Sequence, residues 1–170
     1  MQPRAMSIPL VSSDRGEKSM TEKTMVTISE VYLKSDRSSG NMVVLKESEE
    51  DPNHFVMFVG DSEFAAIAKE KGLVEPKRPL THDLYLRISD NLQVEFLRIE
   101  IYDMKENTYY ANVFFLADGQ ELTVDCRPSD AVALALNRKI PILVNKKLFR
   151  RELTREEIKE YEEICKTVKF

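Results

Sequence analysis

Cysteine and histidine occur only twice each in this chain of 170 residues, and no apolar run approaches membrane-spanning length. Each scarcity removes a class of function. Cys126 and Cys165 stand in no close-spaced pair, which argues against a disulfide framework or a cysteine zinc site. His54 and His82 do not stand at zinc-ligand spacing either, so no zinc constellation is available. The run "AVALAL", residues 131–136, falls far short of the ~20 apolar residues a spanning helix needs, so no membrane association is expected. The first ten residues, "MQPRAMSIPL", hold one arginine and then prolines, without the continuous apolar stretch of a secretory signal. A soluble, cytoplasmic protein with reduced thiols is the expectation.

A basic excess is also missing. The formal net charge is −4, and residues 24–153 carry 17 basic against 21 acidic side chains, so the acidity is not confined to a tail. Proteins that gain affinity from phosphate contacts usually show a basic footprint. Here a footprint of that kind has to be local.

What is present suits one domain with short extensions. At this length a folded chain buries roughly 68–70% of its unfolded surface, and a hydrophobic content of 42% is ordinary for a globular core. Residues 1–23, rich in Ser, Pro and charge, read as a flexible extension. The domain spans 24–153. Its first strand falls in "MVTISEVYL", "DRSSGN" turns the chain into "MVVLKE", and "SEEDPN" leads to "HFVMFVG". A helix follows over "DSEFAAIAKEKG", with Asp61 or Ser62 as cap and Gly72 as stop. A second helix is predicted in "LTHDLYLRISDNL", capped by Thr81, with Leu84, Ile88 and Leu92 along one face. Two strands flank "MKEN", "ADGQ" turns into "ELTVDC", and a third helix precedes the short strand "PILV". Residues 154–170 form an amphipathic helix opened by Thr154 and Glu157 as a capping box. Hairpins mixed with helices imply an α+β fold with a largely antiparallel sheet. The aromatic hairpin around Tyr109, Tyr110, Phe114 and Phe115 turns one face to the core and offers the other to a homo-oligomer.

The stretch "TVDCRPSDAVALALNRKIPILV", residues 123–144, concentrates the chemistry. Pro128-Ser129-Asp130 is a good helix opening, and residues 131–136 are apolar on every side, so the helix is buried. That accounts for proline, serine and one aspartate but does not require Asp125 and Arg127. Two readings stand. An Arg–Asp pair and a cap fix the helix, or Arg127 and the helix N-terminus receive an anion while Asp125 and Asp130 suit a hard cation.

Three segments carry a resemblance. "VDCRPSDAVALAL", "VGDSEFAAIA" (residues 59–68) and "KRPLTHDL" (residues 77–84) together resemble the bifunctional nuclease domain family, in the family's order and over about residues 25–150. Cys126 departs from the small residue usual there. The last 17 residues do not resemble the helical motif that some members append. The resemblance implies hydrolysis of phosphodiester bonds in RNA, DNA or both. Within the matched blocks the acids Glu63, Asp83, Asp125 and Asp130, with His82 for the proton, are the catalytic candidates. Glu63, Asp125 and Asp130 are the candidate ligands for Mg²⁺ or Mn²⁺, which needs converging carboxylates. Arg78, Arg127 and Ser129 are the candidate substrate contacts, since a guanidinium grips two phosphate oxygens. A non-catalytic module binding a ligand or partner is the alternative, favoured by the acidic balance. His54 reads as ordinary surface, "NKKLFRR" (residues 145–151) as a solvated loop whose Phe149 could stack a base, and both cysteines as inert thiols.

Overall fold

The apolar run at 131–136 lies at the centre about which the chain packs. The structure, a computed structural model, describes residues 24–36 and 40–151. The extension 1–23, the C-terminal helix 154–170 and Cys165 lie outside the described residues. In chain order the elements are β1 (Met25–Thr27), β2 (Glu30–Asp36), β3 (Gly40–Lys46), β4 (Asn53–Val59), α1 (Asp61–Glu70) and α2 (Thr81–Asn91). They continue with β5 (Glu95–Lys105), β6 (Thr108–Ala117), β7 (Gln120–Cys126), α3 (Pro128–Arg138), β8 (Ile142–Asn145) and β9 (Arg150–Arg151). The fold is α+β, as predicted.

Two sheets form, ordered β1-β8-β5-β6-β7 and β2-β3-β4-β9. All their pairings are antiparallel except β5 with β8, which α3 joins to the sheet as a crossover. The turns are chemically specified. Glu106 and Asn107 both take positive φ between the closing pair Lys105 and Thr108. Asp118 and Gly119 do the same between Ala117 and Gln120. Two successive left-handed residues give a turn whose twist matches the strands.

Period-2 alternation selects the inner face of each strand. Val43 and Leu45 on β3 stand opposite Met57 and Phe55 on β4. With Ile99 and Ile101 of β5 and Ala111 and Val113 of β6 they enter one continuous core. Residues 131–135 of α3 are all buried, as an all-round apolar helix must be. Alanines 131, 133 and 135 let it pack closely on α1, β5 and β6. α3 ends at Lys139, which adopts the left-handed conformation.

Several local expectations are corrected. None of Asp61, Ser62, Thr81 or Ser129 occupies an N-cap. The caps are Gly60, Leu80 and Arg127, and the polar residues lie inside the first turns. The face Leu84–Ile88–Leu92 points to solvent, because α2 anchors through Leu86 and packs Tyr85 inward. His54 is half-buried on β4. Phe149 is partly buried against the core, while Arg150 pairs with His54 in a short ladder. Gly72 does follow α1 as predicted, with positive φ and its N–H on the Lys69 carbonyl.

Ile67 of α1 is 0% exposed. Truncation to Ile67→Ala is expected to cost about 2–5 kcal/mol in urea unfolding followed by circular dichroism. The exposed Glu95→Gln is expected to stay within about 0.5 kcal/mol.

Candidate functional site

The three sequence blocks meet where the three helices begin. Glu63 is the third residue of α1, His82 and Asp83 the second and third of α2, and Ser129 and Asp130 the second and third of α3. Arg127, the N-cap of α3, joins them. Its Nε donates to Asp130 Oδ2 at 2.7 Å and its Nη2 to Asp130 Oδ1 at 3.0 Å, a two-pronged grip. Nη2 also reaches Glu63 Oε1 at 2.7 Å. On the far side, His82 Nε2 lies 2.9 Å from Asp130 Oδ1. The result is a continuous chain, Glu63–Arg127–Asp130–His82, with one member from each of two matched blocks and two from the third.

Neighbours hold each member in place. Ser62 Oγ donates to Glu63 Oε2 at 2.9 Å. The Glu63 carboxylate folds over Gly60 so closely that a Cβ there would lie 2.6 Å from Oε2. Gly60 has an ordinary φ of −72°, so glycine serves here for space and not for conformation. The Tyr85 ring meets the His82 ring edge-on at 5.7 Å between centroids and limits its rotation.

Electrostatics follow from this placement. Its own backbone N–H, then Ser62 and Arg127, hold the Glu63 carboxyl below its usual range. Asp130 first and Glu63 second raise the affinity of Arg127 for its proton. Two carboxylates against one guanidinium leave the chain one unit negative. The N-termini of α1, α2 and α3 each add about half a positive charge, so the cluster is not hostile to an anion. The Arg127 side chain remains 65% exposed, and its Nη1 takes no part in these contacts.

Other predicted residues lie elsewhere. Asp83 turns away: Oδ1 binds Lys69 Nζ at 2.5 Å and Oδ2 accepts from the Leu80 N–H at 2.8 Å. Asp125 is exposed on β7 opposite Asn112 and is not joined to the chain of contacts. Arg78 lines a cleft of about 720 Å³ in the α1–α2 loop with Lys69, Lys77 and Arg87. That cleft does not contain the cluster. Four cations line it against Glu75 and Asp83, and of these Lys69 is paired with Asp83 and Glu70.

Ser129 is buried and borders a cleft of about 420 Å³ shared by Glu63 and Arg127. Asp130 borders a different, mainly apolar groove of about 330 Å³ with Tyr85, Phe96 and Phe115. Cys126 lines the same groove, where burial pushes its thiol up to about 12, consistent with an inert thiol. Sequence reading held Gly60 within a matched block without giving it a part, and it missed Tyr85, whose part depends on a spatial neighbour.

Among the described residues no group of three or more His, Cys, Asp or Glu side chains lies at metal-ligand spacing. Glu63 and Asp130 are both engaged by Arg127. The donor set therefore does not fit a cage for Mg²⁺ or Mn²⁺ built from protein ligands alone.

Comparison with known proteins is consistent with the three blocks. A family model described as the bifunctional nuclease domain matches residues 43–157. Two relatives, both called uncharacterized proteins (MT1877 and Rv1829) from two strains of Mycobacterium tuberculosis, are each 36% identical over 114 residues. The match covers 67% of this chain and 68% of each relative.

Burial pushes the Asp83 carboxyl upward, but Lys69 and the Leu80 N–H outweigh it and hold the group below its usual range. A lowered folded value means stability that is present above the unfolded value of roughly 3.9 and lost as pH falls through the folded one. Asp83→Asn is expected to cost about 1–3 kcal/mol at neutral pH. The deficit against wild type should vanish on acidification, read from chemical unfolding at pH 7, 4 and 2.

Proposed function

Because the chain belongs to the bifunctional nuclease domain family, we propose that its Glu63–Arg127–Asp130–His82 cluster hydrolyses phosphodiester bonds in RNA, DNA or both. The observation that carries this reading is the meeting of an imidazole, two carboxylates and a half-open guanidinium at three helix N-termini. With Nε2–H donated to Asp130, His82 presents Nδ1 as a proton acceptor, and the Asp130 charge supports the imidazolium that forms. Water loses a proton to His82 as its oxygen bonds to phosphorus, and the departing oxygen, expelled on the opposite side as the P–O bond breaks, takes its proton from solvent. Arg127 offers its outer edge to a non-bridging oxygen, where a guanidinium is best suited. Glu63 is the positioning residue that holds Arg127 in this pose. Lys77, Arg78 and Arg87 supply cations for flanking phosphates. A divalent ion enters this reading only as one carried by the phosphate, since Mg²⁺ commonly binds one or two carboxylates plus substrate oxygens.

The test is cleavage of labelled RNA and DNA by the purified full chain with Mg²⁺, Mn²⁺ or EDTA. His82→Ala and Asp130→Asn, shown to be folded, are expected to lose about 10²–10⁴-fold of the rate. Gly60→Ala should fold, with a cap cost of about 1 kcal/mol, yet lose activity by displacing Glu63 from Arg127. Cleavage retained in all three would sink the proposal.

One observation favours a second reading. Arg127, Glu63 and Asp130 satisfy one another, as a clasp between α1 and α3 would. A non-catalytic ligand- or partner-binding module would then show no cleavage, and the same variants would change stability alone.

Assembly into a homo-oligomer is proposed through α2. Leu84, Ile88 and Leu92 are 59%, 50% and 69% exposed on successive turns, a stripe of the kind that marks association surfaces. Sedimentation is expected to give more than one copy for wild type and a lower mass for Ile88→Glu. An unchanged mass in the variant speaks against this face.

A further inference from the structure

The cleft beside Arg127 carries an aromatic side chain that neither the motifs nor the reaction calls for. Phe58 is the next-to-last residue of β4, opposite Met42 on β3. Phe55 and Met57 face the core, so the alternation turns Phe58 outward, where it is 70% exposed. A single exposed apolar residue needs no explanation by itself. Phe58, however, borders the cleft of about 420 Å³ whose other walls include Glu63, Arg127 and Ser129, together with Asn107 and Thr108 from the β5–β6 turn. The volume lies within the ~300–1,000 Å³ usual for small-molecule sites.

We propose that Phe58 is a stacking platform for one unpaired base, with the adjoining phosphate on Arg127, so that single-stranded nucleic acid is the substrate class. The proposal rests on reading the cluster as one that acts on nucleic acid. The cleft combines the three surfaces that an unstacked nucleotide requires. Phe58 supplies an aromatic face, which any base can cover whatever its sequence. The Asn107 amide and Thr108 hydroxyl supply both donors and acceptors for a base edge. Arg127, which lines the same cleft and is largely exposed, supplies the cation.

The groove on the Asp130 side is the weaker candidate for the base. Its lining is almost wholly apolar, and the polar edge of a base would be left unpaired there, which is costly. A duplex does not satisfy the geometry, because its base faces are already stacked on one another. A base reaches Phe58 only from a single strand, a loop or a frayed end.

The experiment measures binding by fluorescence anisotropy of the full chain to a single-stranded oligonucleotide, to its duplex and to the same strand bearing abasic residues. Wild type, Phe58→Ala and Phe58→Trp are compared. Because Phe58 is on the surface, Phe58→Ala is expected to fold. Expected is a loss of about tenfold or more for Phe58→Ala on the intact single strand, little change on the abasic strand, and recovery in Phe58→Trp. The wild type should prefer the single strand to the duplex. An equal loss on intact and abasic strands, no loss on either, or no binding by wild type overturns the platform. The hydrolysis assay separates this from the wider reading. Cleavage with no base-dependent role for Phe58 removes the platform and leaves the nuclease. Base-dependent binding without cleavage does the reverse.

Discussion

Burial of α3 on every side is the constraint from which the rest of the domain follows. Val132 and Leu134 each contribute about 1.5–3 kcal/mol by leaving water, and the intervening alanines let α1, β5 and β6 close around them. A partly exposed ion pair such as Arg127–Glu63 contributes about 0–1 kcal/mol. Packing, not the ion pairs, therefore brings the helix N-termini together. The ion pairs then select rotamers within a geometry that the core has already imposed.

A buried apolar helix must end somewhere, and its first turn carries amide groups with no partner inside the helix. In this fold the N-terminal turns of α1, α2 and α3 emerge together, and each places a carboxylate at its third position: Glu63, Asp83 and Asp130. Three equivalent positions acquire different work from their neighbours. Asp83 is taken by Lys69 and by the Leu80 amide, while Glu63 and Asp130 share Arg127. Local helix physics explains why acids stand there. Only the partner distinguishes a clasp from a site, and only Asp130 holds an imidazole.

Charge shows the same division between the local and the global. A net charge of −4 argues against nucleic acid if it is taken as a property of the whole surface. The α1–α2 loop nevertheless gathers Lys77 and Arg78 next to Arg87 from the helix that follows. Association depends on such local potential more than on the sum.

Much of the fold was legible because its signals are local: alternation in β3–β6, the Asn and Asp-Gly turns, Gly72 after α1 and the unbroken apolar run of α3. The capping residues were misplaced by one or two positions, since Ser, Thr and Asp suit the first turn as well as the cap. The stripe Leu84–Ile88–Leu92 has flawless helical spacing and still faces solvent, because periodicity reports that a face exists and not what covers it. The residue types of the site, and their grouping into three blocks, were thus determined by the sequence alone. Which of those acids meet was decided only by the tertiary structure. Asp125 and Asp130 are five residues apart in the chain, yet a strand end and a helix turn send them to different surroundings. Glu63 and Arg127 are 64 positions apart, yet they touch because α1 and α3 pack side by side.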